Sequence, residues 1–153
     1  MDKEFDISTF KHSIKEKVKF HEVDMIRVLN NAVYLNYFED ARTEYLLDLN
    51  LKYQLNHLIK EDSFFLMRRN EVEYLHPATF NDELIVYTKM EWVKNTSFGF
   101  RHVIKNEKTG QVIAVGSGIM VYIKVSTKKK QPLPDNFVKA VKDFEGDSLK
   151  VSE

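Results

Sequence analysis

The sequence contains no cysteine, and this absence removes several kinds of chemistry at once. Disulfide bonds, zinc sites built on thiolates and cysteine nucleophiles are all excluded. Glycine and proline are also scarce, with five and three residues among 153. The stretch Gly116-Ser117-Gly118 does not form a nucleophile elbow, because it lacks the Gly-x-Ser-x-Gly spacing between a strand and a helix. The familiar serine and cysteine hydrolase motifs are therefore missing.

Long apolar runs and an excess of charge of one sign are missing as well. The 23 Lys and Arg residues balance the 23 Asp and Glu residues, and a net charge of zero argues against a nucleic-acid partner. No run approaches the roughly 18 apolar residues of a membrane span, and residues 1–6 show no signal-peptide pattern. The histidines, at positions 12, 21, 57, 76 and 102, lack His-x-x-x-His spacing. We therefore expect a cytoplasmic protein without a metal, a cofactor or a membrane partner.

The length and the hydrophobic content predict one domain, residues 1–153, with its core at about 12–137. Alternating apolar residues predict strands at 13–24, 63–76, 83–93, 96–106 and 111–125. Helices are predicted at 30–49 and 136–144, with a short helix or helical loop at 51–62, a turn at 77–82 and a frayed polar tail at 145–153.

The first half of the first predicted helix is apolar around most of its circumference, which indicates a buried helix. Because the later strands are joined by short turns, we expect them to pair antiparallel in a meander of about four strands. One buried helix against one curved antiparallel sheet is an α+β arrangement. The exposed edge of such a sheet must be covered, and a homo-oligomer would cover it.

Asp24 and the pair Asn30-Asn31 form the most informative feature of the sequence. The predicted strand delivers a carboxylate to the start of the predicted helix, where unpaired N–H groups carry partial positive charge. A carboxylate facing such donors can attack a carbonyl, or activate water against it, while the donors hold the carbonyl oxygen. This arrangement predicts hydrolysis of an ester-like bond.

Each of these residues also has a purely structural interpretation. Asp24 can stabilise a turn, and Asn30 and Asn31 can cap the helix without binding a ligand. Glu39 and Arg42, three positions apart, can form a buried ion pair inside the helix layer. Glu22 lies on the same predicted strand face as Asp24 and is either solvated or a neighbour that tunes Asp24.

Three segments of the sequence resemble the hotdog-fold thioesterases of the 4-hydroxybenzoyl-CoA thioesterase type. The first is Phe-His-Glu-Val-Asp at 20–24, and the second is Asn30-Asn31 followed by Tyr-Leu-Asn-Tyr-Phe-Glu-Asp-Ala-Arg at 34–42. The third is the strand–turn–strand junction at 74–84. Pro-Leu-Pro at 132–134 is a further, weaker similarity. The resemblance covers roughly residues 12–137.

The resemblance implies a hotdog fold, in which a five-stranded antiparallel sheet wraps around a long central helix. It implies a dimer or tetramer that cleaves acyl thioesters of coenzyme A or acyl carrier protein, with the thioester as substrate and no separate cofactor. The catalytic residues that it implies are Asp24, an N–H donor at Asn31, and Arg42. The residues that we assign to substrate binding are Arg27, Asn30, Tyr34 and Glu39.

The sequence departs from that family at one point, where Arg27-Val28 replaces the usual Gly-His. Arg27 can change the turn, add positive charge near the thioester, or block part of the site. A second interpretation is therefore a hotdog protein that binds acyl thioesters without hydrolysing them. A hotdog dehydratase is a weaker third interpretation, because its chemistry needs a histidine on the helix and this helix has none.

Overall fold

A curved antiparallel sheet and one long helix account for most of the structure, a computed structural model that describes residues 6–55 and 62–152. The strands are β1 His12–Lys17, β2 Ser63–Tyr74, β3 Glu83–Val93, β4 Ser97–Asn106, β5 Val112–Lys124, β6 Lys129–Lys130 and β7 Lys150–Val151, and the helices are α1 Val33–Tyr53 and α2 Asp135–Glu145. Neither helix in these ranges is long and apolar enough to cross a membrane.

The five long strands are the predicted ones, but their order in the sheet is not a simple meander. The order is β1-β3-β4-β5-β2, and the short strands β6 and β7 add to β5 and β3. β3, β4 and β5 follow one another through short turns, as expected. β2 pairs instead with β5 at the opposite edge from β1. The connection after β2, at 75–82, is too long to impose pairing with the next strand, so β2 is free to pair elsewhere.

Strand β3 shows why the sheet could be predicted closely. Leu84, Val86, Thr88 and Met90 alternate along it, and all four are buried. A bulge between Met90 and Trp92 then shifts the alternation, so that Val93 is buried in place of the expected tryptophan.

Helix α1 lies against the sheet with one face and leaves the opposite face uncovered by this chain. Its buried residues are Tyr34, Tyr37, Phe38, Ala41, Arg42, Tyr45 and Leu49. The outer face includes Leu47, which is 50% exposed, and Leu51, which is 77% exposed. In the first half of the helix, Asn36, Glu39 and Asp40 are exposed. The prediction of a helix that is buried nearly all round is therefore wrong for the single chain.

Both ends of α1 differ from the prediction. The helix starts at Val33 and continues through Tyr53, and Gln54 ends it in the left-handed conformation with φ of 55°. The separate helix predicted at 51–62 is thus an extension of α1 at its beginning, and residues 56–61 lie outside the described ranges.

The first strand is shorter than predicted, because a side chain turns the backbone after it. β1 ends at Lys17, and residues 20–22 form a 3₁₀ turn. The Glu22 carboxylate accepts the Lys19 N–H at 2.8 Å, while the Glu22 N–H donates to the Lys19 carbonyl at 2.9 Å. These local bonds compete with strand pairing. Asp24 consequently lies in a loop and not at the end of a strand.

The C-terminal tail is not frayed over residues 145–151, contrary to the prediction. Glu145 is 1% exposed, residues 146–148 form a 3₁₀ turn, and β7 pairs in parallel with the end of β3. The polar composition of the tail gave no sign that one of its carboxylates is buried.

The glycines of β5 allow α1 to approach the sheet closely. A Cβ atom at Gly116 would lie 2.4 Å from the Phe38 ring and 2.6 Å from the Glu71 carbonyl oxygen. Since a side chain cannot occupy such a position, glycine is what allows Phe38 to stack on the buried ring of His102, with ring centroids 4.6 Å apart.

Candidate active site

Asp24 lies at the base of a tight loop that is closed by its own backbone. Its N–H donates to the Val28 carbonyl at 2.9 Å, and its carbonyl accepts the Arg27 N–H at 3.0 Å. The carboxylate oxygen Oδ1 accepts the Ile26 N–H at 2.9 Å and, less closely, the Val28 N–H at 3.5 Å. Oδ2 has no hydrogen-bond partner within residues 6–55 and 62–152. One oxygen of this carboxylate thus stabilises the turn, and the other is open for chemistry.

Arg27 occupies the position in this loop that requires a left-handed backbone. Its φ is 66°, in a region that glycine adopts freely and other residues adopt at a cost. A turn followed by one left-handed residue is a common three-residue hairpin loop, and glycine is the usual residue there. The substitution of the family's glycine by Arg27 therefore leaves the turn in place and strains it.

We expect Arg27→Gly to raise the free energy of unfolding by about 0.5–1 kcal/mol. Relief of left-handed strain, about 1–2 kcal/mol, outweighs the extra entropy that glycine loses on folding. Urea unfolding measures the change. Ile26→Gly is the matched control, since Ile26 is 77% exposed in the same loop and does not have a positive φ. The control should be destabilised, and a less stable Arg27→Gly protein would contradict the assigned strain.

The start of α1 is organised by Asn30, although not as the predicted cap. The Asn30 side chain accepts the Ala32 N–H at 2.9 Å, and its carbonyl accepts the Val33 N–H at 3.0 Å. These bonds form a turn that leads into the helix. The N–H of the next residue, Asn31, has no hydrogen-bond partner in the part of the chain that the structure describes, while its carbonyl accepts the Tyr74 hydroxyl at 2.9 Å. An unpaired N–H at a helix start is a suitable oxyanion donor.

Tyr34 and Glu22 contact the residues that pack next to the start of α1. Tyr34 is buried and its ring meets the Tyr74 ring edge-on, 5.0 Å between centroids. Burial raises the pKa of Tyr34. Glu22 accepts the Tyr37 hydroxyl at 2.8 Å, so it belongs to the scaffold and not to a strand face shared with Asp24. The interpretation of Tyr34 as a substrate-contacting residue gains no support from this burial.

A cleft of about 710 Å³ opens between the outer face of α1 and strand β2. Most of its lining is apolar, and the apolar residues are Leu35, Leu46, Leu47, Leu55, Phe64, Phe65, Leu66, Met67 and Met120. The polar lining consists of Asn36, Glu39, Arg42, Thr43, Asn50 and Asn70. A mostly apolar cleft with a few convergent polar groups is the usual form of a small-molecule site.

Glu39 and Arg42 both line this cleft, but they do not form the predicted buried ion pair. Glu39 is exposed, whereas Arg42 is only 6% exposed, and their charged atoms do not come within 4.0 Å of each other. Burial lowers the pKa of Arg42, and the charge of Glu39 opposes this from a distance. Arg42 donates to Asn70 Oδ1 at 3.4 Å.

The structure divides the predicted site residues into two groups. Asp24, Arg27, Asn30 and Asn31 belong to the loop and the helix start, with Tyr34 beneath them, whereas the cleft contains Glu39 and Arg42. No hydrogen bond joins the Asp24 carboxylate to a residue of the second group within the described ranges. In those ranges there is also no group of three His, Asp or Glu side chains that could hold a metal.

Sequence reasoning missed the β2 side of the cleft. Asn70 contacts Arg42 from 28 residues away, and no pattern in either segment indicates this contact. Phe64 and Phe65 of β2 both line the cleft. Asn36 also lines the cleft, and a polar residue in an otherwise apolar stretch of the helix is the sequence signal for its position.

Comparison with known proteins identifies the family of this chain. Residues 18–141 match the thioesterase-like superfamily. The chain belongs to this superfamily. Membership confirms the hotdog fold that the sequence motifs implied, although the 4-hydroxybenzoyl-CoA type in particular remains a prediction.

Several proteins similar to this chain are named as thioesterases or thioester hydrolases. The acyl-CoA thioester hydrolase YbgC of Escherichia coli O6:H1 is 28% identical over 122 residues, which are 80% of this chain and 89% of YbgC. A chloroplastic acyl-acyl carrier protein thioesterase of Arabidopsis thaliana is 24% identical over 112 residues, which are 73% of this chain but only 58% of the plant protein. A thioesterase crystal structure from Thermus thermophilus, complexed with coenzyme A and Zn, matches with a TM-score of 0.76 at 26% identity, covering 91% of this chain and 97% of that one.

Proposed function

We propose that the protein hydrolyses acyl-CoA thioesters to a free acid and coenzyme A. The observation that carries the proposal is the Asp24 carboxylate, which is held rigidly by Oδ1 while Oδ2 stays open. The superfamily, the name of the YbgC relative and the coenzyme A complex of the Thermus thermophilus protein support an acyl-CoA substrate. The plant relative's name makes acyl carrier protein the alternative carrier to test.

In the proposed mechanism, Asp24 Oδ2 attacks the thioester carbonyl and expels the thiolate, which leaves an acyl–aspartyl anhydride that water then hydrolyses to the free acid. In the alternative form, Oδ2 removes a proton from a water that attacks the carbonyl and expels the thiolate directly. The N–H of Asn31 stabilises the negative charge that develops on the carbonyl oxygen, helped by the positive end of α1. The leaving group is a thiol with an ordinary pKa of about 8.5, so it can depart without a strong acid. Asn30 stabilises the conformation of the helix start. The acyl chain binds in the apolar cleft along α1.

Release of free thiol from a panel of acyl-CoA and acyl carrier protein substrates tests this proposal. We expect release in proportion to enzyme concentration with at least one straight-chain acyl-CoA. Calorimetric binding of the same substrates is measured in parallel. Tight binding without thiol release from any carrier would instead establish a non-hydrolytic acyl-thioester-binding protein.

We also propose that the protein is a cytoplasmic homo-oligomer. The lack of cysteine suits a reducing compartment. β2 is an edge strand of 12 residues, with Phe64 and Leu66 about half exposed on it. An exposed edge strand of this length with apolar residues on it is a template for pairing with another chain. Sedimentation velocity should give at least twice the chain mass of 18.1 kDa, and Leu66→Lys should shift the protein toward the monomer. A wild-type monomer at micromolar concentration would contradict the proposal.

A further inference from the structure

The guanidinium of Arg42 is a buried cation without an anionic partner inside the described ranges. It is 6% exposed, and the acceptor that it has among residues 6–55 and 62–152 is the neutral side chain of Asn70, at the long distance of 3.4 Å. Burying an unpaired charge is costly, and proteins usually compensate it with an opposite charge. A charged group of this kind beside an apolar cavity is a candidate ligand site, and an anionic ligand would supply the missing charge.

The Arg42 guanidinium lies against the sheet at one wall of the cleft. Gly118 lies beneath it, and a Cβ there would approach Arg42 Nη1 to 3.5 Å and Met67 Cε to 2.5 Å. Met67 in this conformation therefore requires glycine at this position, and the guanidinium lies within van der Waals distance over the paired strands β5 and β2. Around it the cleft is lined mainly by leucine, methionine and phenylalanine. The only other charged lining residue in the described ranges is Glu39, which is exposed at the rim.

Arg42 is also separated along the helix from the proposed reacting carbonyl. α1 begins at Val33, and at 1.5 Å per residue Arg42 lies about 14 Å further along its axis. Its side chain leans back toward the helix start and shortens this span to roughly 10 Å. An acyl chain of medium length, with its carbonyl at Asn31, would bring its far end to the guanidinium.

We propose that the cleft binds acyl chains that end in a carboxylate, and that Arg42 recognises this carboxylate. This inference rests on the proposed thioesterase function and names its substrate class. A guanidinium binds a carboxylate through two parallel N–H···O bonds, and the Asn70 amide can donate a third. In this role Arg42 is a specificity residue that contacts the substrate at a distance from the reacting bond.

The first experiment compares octanedioyl-CoA with octanoyl-CoA, which has the same chain without the terminal carboxylate. We expect wild-type kcat/KM to favour octanedioyl-CoA by about 10- to 100-fold, because a site built around a charged partner discriminates against an analogue that lacks it. Arg42→Met should reverse this preference, and Arg42→Lys should restore part of it. Arg101→Met is the control, since it removes a half-buried arginine of β4 that pairs with Glu91 at 2.9 Å outside the cleft.

A second variant, Asn70→Asp, places a fixed carboxylate beside Arg42 without changing the shape of the side chain. This internal anion should compete with the substrate carboxylate, so that the preference for octanedioyl-CoA disappears while the melting temperature rises. A purely structural role for Arg42 predicts the higher melting temperature without the change in preference.

The outcomes separate this inference from the proposed function. If the wild type cleaves octanoyl-CoA as well as or better than octanedioyl-CoA, the inference is overturned and the thioesterase function stands. If Arg42→Met slows both substrates equally, Arg42 acts in catalysis and the inference is again overturned. If neither compound is cleaved, calorimetry of both with the wild type decides: tighter binding of octanedioyl-CoA supports the carboxylate site, and equal binding refutes it.

Discussion

Asp24→Asn is expected to lower kcat for acyl-CoA hydrolysis by about 10²- to 10⁴-fold, the usual contribution of a positioned acid–base group. Asparagine keeps an oxygen that can accept the Ile26 N–H, so the loop should retain its conformation. The substitution removes only the negative charge and the basicity of the second oxygen. A steady-state assay of thiol release measures the effect, and KM should change little because Asp24 does not line the acyl cleft.

Asp82→Asn is the matched control for this experiment. Asp82 is also a turn carboxylate, and it accepts the Thr79 N–H at 2.8 Å in a neighbouring loop. The same loss of charge there should leave kcat within a few-fold of the wild type. If Asp24→Asn also stays within a few-fold, Asp24 is a turn residue and the proposed mechanism is wrong. An acyl-enzyme on Asp24, trapped from a slow substrate and detected by mass spectrometry, would distinguish a nucleophile from a general base.

The parts of the fold that the sequence predicts well are those in which local pattern and tertiary contact agree. In β3 the alternation of Leu84, Val86, Thr88 and Met90 matches the buried face, because the same residues that favour a strand also fill the core. The prediction fails in β1, where a single Glu22 carboxylate turns the chain by bonding its neighbours. Side-chain bonds of this kind do not alter the apolar period, so the period continues past the true end of the strand.

The residues of the candidate site could be predicted where they are close to one another in the sequence. Asp24, Asn30 and Asn31 belong to one short loop and the helix start that follows it. A single sequence motif therefore contains all three residues. The cleft instead joins α1 to β2, and the contact between Arg42 and Asn70 is set by sheet order. Since β2 pairs with β5 and not with β3, no local spacing could have placed Asn70 beside the helix.

A buried carboxylate at the end of α2 provides the second large expected effect. Glu145 is 1% exposed, and its Oε2 accepts the Tyr45 hydroxyl and the Met90 N–H, the latter at 2.9 Å. Glu145→Ala leaves both donors buried without an acceptor and opens a cavity. We expect the free energy of unfolding to fall by about 3–5 kcal/mol, measured by urea denaturation.

A second tyrosine–carboxylate bond between the same two helices provides the control. The Tyr53 hydroxyl donates to Asp143 at 2.6 Å on the surface, and this bond raises the pKa of Tyr53 to about 12. Asp143→Ala leaves its donor in water, so the loss should be no more than about 1 kcal/mol. Equal losses for the two variants would show that burial does not govern the contribution of Glu145.

The pH dependence of the Glu145 effect follows from the direction of its pKa shift. Burial raises the pKa of Glu145 above the ordinary glutamate value of 4.5, against the opposing hydrogen bonds from Tyr45 and Met90. The folded protein therefore holds this proton more tightly than the unfolded chain does. The stability contributed by Glu145 is fully present below pH 4.5 and declines as the pH rises through the raised value.

Unfolding of wild type and Glu145→Ala over a pH series isolates this dependence. Other groups, such as Glu16, whose pKa burial and Asp40 raise to about 7, titrate in both proteins and cancel in the difference. The difference in unfolding free energy should be largest in acid and should shrink toward neutral pH. Glu145→Gln keeps an acceptor oxygen but cannot titrate, so the stability that it gains relative to wild type should grow as the pH rises. A wild-type advantage over Glu145→Ala that increases with pH would mean that the carboxylate is stabilised in its charged form, contrary to the burial that surrounds it.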